Sequence, residues 1–245
     1  VELLKCLSLK KDLSSVTGIS YRKRGQIESN PQRGQTKSKD NLFSPYQTNI
    51  NLSCYRLKYV LTGRGCSYNC IFCAIQDFCR RKVYFRNIDE IINEFEIIYE
   101  QDNKNTKILL CDDTFVLKKE RVLEFCHKLK KINLQGLKWG CNTRIDLMDE
   151  EMMIAMSKSG CARVLYGMES GSDRMLKRLN KGFSSAEALG IVRKSGKYFK
   201  QVVVNFLWGF PFETMKDFYD SISLFLCLRA QGIDSRLGLI APFAL

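Results

Sequence analysis

The chain has 245 residues, a formal net charge of +13, 45% hydrophobic residues and 27% charged residues. This composition is that of a globular protein, and it excludes wholesale disorder. No apolar run approaches the roughly 18–20 residues that a membrane-spanning helix needs. The first ten residues lack the pattern of a secretory signal peptide. Together with eleven cysteines, this predicts a cytoplasmic protein whose thiols stay reduced, some of them for metal or redox chemistry.

The positive charge is concentrated near the start of the chain. Residues 1–65 carry a net +8, against +5 for residues 66–245. Residues 22–42 are polar with few large apolar groups, which is typical of a linker or a loosely packed arm. The segment VTGISYRKRGQIESN (16–30), which overlaps the start of this stretch, predicts a short hairpin that turns at Gly25. A basic arm can contact nucleic acid, but aromatic platforms are missing there, so the pattern favours a solvated linker over a nucleic-acid site.

Two segments are predicted from these patterns. Residues 1–54 form a basic arm or linker, and the opening VELLKCL fits the end of the last helix of an upstream domain. Residues 55–245 form the core domain. Because the chain starts at Val1 and stops at Leu245 directly after an apolar run, we expect a fragment of a longer protein, truncated at its C-terminus.

Six apolar runs of strand length alternate with segments of helical spacing. This alternation predicts a parallel sheet with helices outside it, either an open doubly wound sheet or a partial barrel. In both folds the functional residues lie at the carboxyl ends of the strands. The six runs are Leu57–Leu61, Ile108–Cys111, Leu137–Cys141, Val164–Gly167, Val202–Trp208 and Leu237–Ile240.

The helical segments carry caps and apolar stripes. A methionine-rich stripe at residues 152–156 is predicted to be core packing, and a stripe of Phe218, Ile222 and Leu226 is predicted for the last helix. Three helices are predicted to open with a capping box. The boxes pair Asn87 with Glu90, Ser184 with Glu187, and Thr214 with Asp217.

Three cysteines in the loop after the first strand form the most informative motif. Cys66, Cys70 and Cys73 place three soft thiolates within eight residues, enough for one side of an iron–sulfur cluster. A zinc site would need further ligands, and the lone histidine, His127, lies on the polar side of its helix. Three ligands leave one iron of a 4Fe–4S cluster open, which favours chemistry over electron storage. Cys79 is not expected to be a fourth ligand, because no familiar cluster spacing includes it.

The other cysteines are scattered along the chain. Those in apolar runs or stripes are expected to be small buried hydrophobes. The scattered set is Cys6, Cys54, Cys111, Cys126, Cys141, Cys161 and Cys227.

The cysteine triad, with Phe72 directly before its third member, resembles that of the radical S-adenosylmethionine (radical SAM) enzymes. The resemblance runs from about residue 55 to the end and includes a segment after each of four later strands, at the edge where function is expected. The segments are CDDTF (111–115), WGCNTRID (139–146), YGMESGSD (166–173) and NFLWGFPFET (205–214).

The resemblance implies a partial (β/α)6 TIM-like barrel and a radical SAM enzyme. In such enzymes the open iron of the 4Fe–4S cluster chelates S-adenosylmethionine. Reductive cleavage of that cofactor then yields a 5′-deoxyadenosyl radical that abstracts hydrogen from the substrate. The implied partners are a reductant such as flavodoxin or ferredoxin and a small-molecule, lipid or peptide substrate. The resemblance assigns no further catalytic residue and leaves open whether the enzyme is an oxidoreductase or a methyltransferase.

Several site residues follow from matching positions. The three cysteines match the cluster ligands, and Phe72 matches a residue that packs near the adenine. Asp112 and Asp113 lie where the family meets the amino end of the cofactor, which carries donors. The common Gly-Gly-Glu is here Cys111-Asp112-Asp113, so either acid is a candidate.

Two later strand ends supply the remaining candidates. Arg144 and Glu169 lie where contacts to the cofactor carboxylate and ribose are expected, and a salt bridge at the rim is the structural alternative. Gly209 and Pro211 match a turn beside the adenine, with a turn that makes no ligand contact as the alternative. Phe212 stands where the family often has a second glycine.

The subgroup is indicated by the DDTF and NTRID segments and by the basic arm, which are similar to those of cobalamin-dependent radical SAM proteins. In those proteins a cobalamin-binding domain precedes the arm, so the longer protein would use cobalamin for methyl transfer or ring chemistry. A tRNA methylthiotransferase is the alternative, although residues 1–65 hold only Cys6 and Cys54 where that group carries three further cluster cysteines. A non-catalytic iron–sulfur or zinc module is opposed by the open coordination position and the rim motifs.

Overall fold

The computed structural model describes residues 2–33, 46, 51, 54–102 and 106–239. The chain divides into two compact units, residues 1–41 and 42–245. The first unit contains helix α1 (Glu2–Ser8) and the antiparallel strands β1 (Ser20–Lys23) and β2 (Gln26–Ser29). Gly25 turns the hairpin at φ +85°, so the predicted hairpin is confirmed. The predicted linker is described only as far as residue 33.

A six-stranded parallel sheet is the centre of the second unit. Its spatial order is β10-β9-β8-β7-β6-β3, so the strands follow one another without the reversal of a doubly wound fold. This order confirms the predicted partial barrel, and each predicted run corresponds to one strand. The strands are β3 (Lys58–Val60), β6 (Lys107–Leu110), β7 (Lys138–Thr143), β8 (Cys161–Glu169), β9 (Gln201–Trp208) and β10 (Asp234–Leu239), with a separate ribbon of β4 (Gly63–Arg64) and β5 (Tyr84–Phe85).

The helices cover one face of this sheet. Residues of six helices and the strand residues facing them form one buried cluster, which includes Phe125 packed edge-on against Trp139 at 5.5 Å between ring centroids. Met152, Met153 and Met156 are each 2% exposed or less, which confirms the predicted core stripe. The helices are α2 (Ile75–Cys79), α3 (Ile88–Gln101), α4 (Lys119–Ile132), α5 (Glu150–Lys158), α6 (Asp173–Arg178), α7 (Ser185–Ser195) and α8 (Met215–Ala230).

Two of the three predicted capping boxes form in full, those of Ser184 with Glu187 and Thr214 with Asp217. At α3 the Asn87 side chain accepts from the backbone N–H of Asp89 at 2.8 Å, which is a one-sided cap. The stripe predicted for α8 is wrong, because Leu226 is 58% exposed while the polar Asp217 and Ser221 are buried.

Among the described residues, no helix covers the other face of the sheet. Along β6, Ile108 and Leu110 are buried against the helices, whereas Lys107 and Cys111 on the alternate positions are exposed. The expectation that Cys111 is a buried hydrophobe is therefore wrong, while Cys6, Cys126, Cys141 and Cys161 are buried as expected. Among the described residues, no helix combines the length and the apolarity needed to cross a membrane.

A buried carboxylate joins α6 to α8. Asp217 accepts from Nε of Arg174 at 3.1 Å and from the hydroxyls of Ser172 at 2.6 Å and Thr214 at 2.5 Å. The Arg174 guanidinium and these hydroxyls hold the pKa of Asp217 well below its usual range. Because the folded pKa is depressed, this stabilisation is present above the ordinary pKa of about 4 and is lost as the pH falls.

We predict that Asp217→Asn lowers the free energy of unfolding by about 1–3 kcal/mol at pH 7. Urea unfolding at pH 7 and pH 3 should show a smaller difference from the unmodified chain at the lower pH. Asp220→Asn is the control, because Asp220 makes only a surface ion pair with Lys216 at 2.8 Å, and its effect should stay below about 0.5 kcal/mol. If Asp217→Asn lowered the free energy of unfolding by the same amount at pH 7 and pH 3, this would contradict the dependence of the stabilisation on the ionised carboxylate.

Candidate functional site at the carboxyl ends of the strands

The cysteine-bearing loop leaves the sheet after β3 and is closed at its base by the ribbon of β4 and β5. Cys66, Cys70 and Cys73 lie in the segment between these two short strands. Gly65 sits at the neck with φ +91°, and a Cβ there would overlap the carbonyl oxygen of Lys82. The neck therefore closes only with glycine at this position.

Two consecutive acids after β6 fasten the loop. The Asp112 carboxylate accepts from the backbone N–H of Thr62 at 2.7 Å and also from the Thr62 hydroxyl. Asp112 is 4% exposed, and burial raises its pKa while the bonds from Thr62 oppose that rise. Asp113 is exposed, and its Oδ2 accepts from the Gly65 N–H at 2.8 Å. Both Asp112 oxygens thus accept from Thr62, while the exposed Asp113 is held through one oxygen, Oδ2.

The three thiols share one electrostatic environment. Burial raises the pKa of Cys73, and the neighbouring Cys70 and Cys66 raise it further. Within the described residues, no three Cys, His, Asp or Glu side chains converge as they would around a single ion. A cluster requires less convergence than an ion because each thiolate binds a different iron. Three soft sulfur donors on one loop therefore fit a 4Fe–4S cluster.

Arg144 contacts one of these sulfurs directly. Its Nη1 donates to Cys70 Sγ at 3.1 Å, and its Nε and Nη2 donate to the Asp146 carboxylate at 3.0 Å each. Nη2 also donates to the Lys181 carbonyl, and the guanidinium lies 3.7 Å from the centre of the Tyr68 ring. Asp146 therefore occupies guanidinium nitrogens that were expected to bind the cofactor carboxylate. The NTRID segment contains this acid two residues after Arg144, whereas the contact with Tyr68 was not predicted from the sequence.

Glu169 lies at a bulge where the register between β8 and β9 shifts, and it has φ +70°. Its Oε1 lies 3.2 Å from Lys181 Nζ, and a Cβ at Gly167 would overlap this carboxylate. Lys181 Nζ in turn lies 5.9 Å from the ring centre of Phe72 and 5.7 Å from that of Phe183. Lys181 therefore links the fourth strand of the sheet to the cysteine loop. Lys181 was not predicted from the sequence, because its only signal there is a positive charge next to a glycine.

The turn after β9 reaches the same loop through aromatic contacts. Phe72 packs edge-on against Phe210 at 5.8 Å, and Phe210 stacks on Phe212 at 5.6 Å. Gly209 has φ +105°, and its N–H donates to Glu213 Oε2 at 2.8 Å. Phe212, the departure from the family pattern, therefore adds an aromatic surface behind the residue that contacts Phe72. Pro211 is exposed in this turn.

Comparison with known proteins identifies the family of this chain. The model of the radical SAM superfamily matches residues 60–225, which span all the site residues above. The chain belongs to the radical SAM superfamily. The cofactors of this family are a 4Fe–4S cluster and S-adenosylmethionine.

Individual relatives include methyltransferases and methylthiotransferases. The chain is 28% identical over 222 residues to an uncharacterized methyltransferase of Pyrococcus horikoshii, covering 88% of this chain and 48% of the relative. It is 27% identical over 198 residues to the tRNA-2-methylthio-N(6)-dimethylallyladenosine synthase of Endomicrobium trichonymphae, covering 78% of this chain and 47% of the relative. The chain thus spans about half the length of these relatives.

Two solved structures share the fold. The radical S-adenosylmethionine methyltransferase TsrM from Kitasatospora setae, solved with cobalamin and a [4Fe-4S] cluster, matches with a TM-score of 0.77 and 18% identity over 97% of this chain and 48% of that one. The cobalamin-dependent S-adenosylmethionine radical enzyme OxsB matches with a TM-score of 0.74 and 21% identity over 91% of this chain and 34% of that one. Both confirm the partial-barrel fold.

Gly65→Ala is predicted to open the neck of the cysteine loop and to lower the iron bound per chain after anaerobic reconstitution at least severalfold. The reason is the overlap of the new Cβ with the Lys82 carbonyl. Gly232→Ala is the matched control, because Gly232 has φ +76° and nothing within 4 Å of its added Cβ. The control should cost only about 1 kcal/mol of stability and keep full iron content. Equal iron content in both variants would contradict the role of the neck.

Proposed function

We propose that this chain is the catalytic core of a radical SAM enzyme, in which Cys66, Cys70 and Cys73 hold the cluster. The observation that carries the proposal is the loop of three thiols fastened to the carboxyl ends of the parallel strands by Asp112 and Asp113. When bound, the cluster supplies the electron that cleaves S-adenosylmethionine and so starts radical chemistry. The protein's own residues fix the loop and surround its sulfurs.

The surroundings favour different tasks for the polar residues. Asp113, rather than the fully engaged Asp112, is the acid available to accept from the amino end of the cofactor. Arg144 acts on the Cys70 sulfur, since Asp146 engages the rest of its fork. Glu169, held by Lys181, would accept from the hydroxyls of the cofactor ribose. Phe72 and the turn at Gly209 would flank the adenine.

The reaction class we propose is cobalamin-dependent methyl transfer. It is supported by the fold shared with TsrM and OxsB and by the methyltransferase of P. horikoshii among the relatives. Cobalamin would bind to a part of the longer protein beyond this core. A cytoplasmic location, a flavodoxin or ferredoxin as reductant, and a small-molecule, lipid or peptide substrate complete the proposal.

Methylthiolation of tRNA is the second candidate. It is supported by the match to the E. trichonymphae enzyme over 78% of this chain. This match is less extensive than that to the P. horikoshii methyltransferase, which covers 88% of this chain. The two candidates differ in the group transferred, so mass analysis of the product separates a methyl group from a methylthio group.

The core proposal is tested by anaerobic reconstitution with iron and sulfide, followed by dithionite and S-adenosylmethionine. We expect 5′-deoxyadenosine or S-adenosylhomocysteine, and neither product from an intact cluster would refute the proposal. Cys70→Ala should lose the cluster absorbance. Cys79→Ala should keep it, because this cysteine ends helix α2 outside the triad. Loss of the cluster in Cys79→Ala would instead make Cys79 a ligand.

Arg144→Gln is predicted to keep the cluster but to lower its reduction potential. The guanidinium donates to Cys70 Sγ, and a cationic donor stabilises the more negative, reduced cluster. We expect a shift of roughly 60 mV, equivalent to a tenfold change for one electron. Redox titration monitored by electron paramagnetic resonance measures it. Asp146→Asn, which leaves the donor to the sulfur in place, should shift the potential less, and an unchanged potential in Arg144→Gln would contradict the assignment.

A further inference from the structure

A cavity lies at the amino ends of the parallel strands, at the end of the sheet opposite to the cysteine loop. Its volume is about 770 Å³, within the usual size of a small-molecule site. Every strand of the sheet, or a residue next to that strand, contributes to the lining. None of the described lining residues is acidic. Six of the lining residues are cationic: Arg56, Lys107, Lys138, Arg163, Lys200 and Arg236.

Five of these six cations form no ion pair among the described residues. Arg236 pairs with Asp234 at 2.9 Å, and the same carboxylate also acts on Arg163 from a longer distance. Lys107 and Lys138 are register partners on the adjacent strands β6 and β7, so their backbones are about 5 Å apart and their side chains share a face. Like charges directly opposite each other destabilise a sheet. The ammonium groups of Lys107 and Lys138 therefore repel each other, and a bound anion would reduce that repulsion.

Arg163 is half-buried, whereas the other five cations are exposed. Its register partner on β7 is Gly140, where an added Cβ would come within 3.0 Å of the Arg163 Cβ, so the missing side chain gives the arginine its room. Nη1 of Arg163 is excluded from solvent and has no hydrogen-bond partner among the described residues. Burial lowers the pKa of Arg163, and Arg236 lowers it further. A buried guanidinium nitrogen without an acceptor is costly, and a phosphate or carboxylate oxygen is the acceptor that suits it.

The rest of the lining is largely apolar. Leu57 directly precedes β3, Leu109 lies on the open face of β6, and Ala162 precedes Arg163 on β8. Leu57 is 40% exposed in this cavity. A ligand that fills it would therefore place a charged group on the cations and an apolar body against these side chains.

We propose that this cavity binds a small organic anion, a phosphate or carboxylate on an apolar body, through Lys107, Lys138 and Arg163. The site is separate from the cysteine loop and does not depend on the cluster. It therefore stands or falls independently of the proposed radical chemistry.

Isothermal titration calorimetry tests the site with four probes: 1-naphthyl phosphate, 1-naphthoate, uncharged 1-naphthol and inorganic phosphate. We expect binding of at least one naphthyl anion, weakened by added salt, and weaker binding of both 1-naphthol and inorganic phosphate. Whichever anion binds identifies the headgroup as phosphate or carboxylate. The same probe should raise the unfolding temperature.

The double variant Lys107→Gln/Lys138→Gln should weaken this binding about tenfold or more. Lys130→Gln/Lys131→Gln on the exposed end of α4 removes the same charge elsewhere and should bind as the unmodified chain does. Equal losses in both double variants would mean non-specific attraction and would overturn the proposal, as would no binding of either naphthyl anion. Binding by this chain but not by a longer product of the same gene would also overturn it, because another segment would then occupy the cavity.

Discussion

The buried carboxylate of Asp112 is the interaction on which the geometry of the site depends. It accepts both donors of Thr62, one from the backbone and one from the side chain, and so ties the residue after β3 to the end of β6. A carboxylate that is 4% exposed is costly unless its oxygens are bonded, so the pair resists separation. Because Thr62 lies where the cysteine loop leaves β3, four residues before Cys66, the start of the loop is fixed by a group on the neighbouring strand.

From that origin, later strand ends secure the far side of the loop. Arg144 after β7 holds the Cys70 sulfur, and Lys181 joins Glu169 of β8 to the ring of Phe72. Each contact involves the carboxyl end of a different strand, so the order of strands in the sheet becomes the order of contacts along the loop, at Thr62, Cys70 and Phe72. A partial barrel is suited to this because its strands follow one another without reversal.

The sequence predicted what depends on local pattern and missed what depends on packing. The strands and the methionine core stripe follow from periodicity, and the placement of Asp112, Arg144 and Glu169 at one edge follows from parallel strands. The different surroundings of Asp112 and Asp113 could not be predicted from the sequence, because they depend on which of the two carboxylates is buried. Lys181 was missed because it meets Glu169 only after helix α6 folds back. The α8 stripe failed because a polar network around Asp217 occupies its buried face.

The strands that present thiol and acid groups at one edge present cations at the other. On β6 the open face carries Lys107 at its start and Cys111 just past its end. These positions are four residues apart, about 13 Å along a strand. Charge is therefore separated along the sheet, with Asp113 beside the cysteine loop and Lys107 and Lys138 at the far opening. At the carboxyl ends Arg144 and Lys181 are paired with Asp146 and Glu169, whereas Lys107 and Lys138 at the amino ends have no carboxylate partner among the described residues. An anionic group on the open face is therefore electrostatically favoured at the amino ends of the strands.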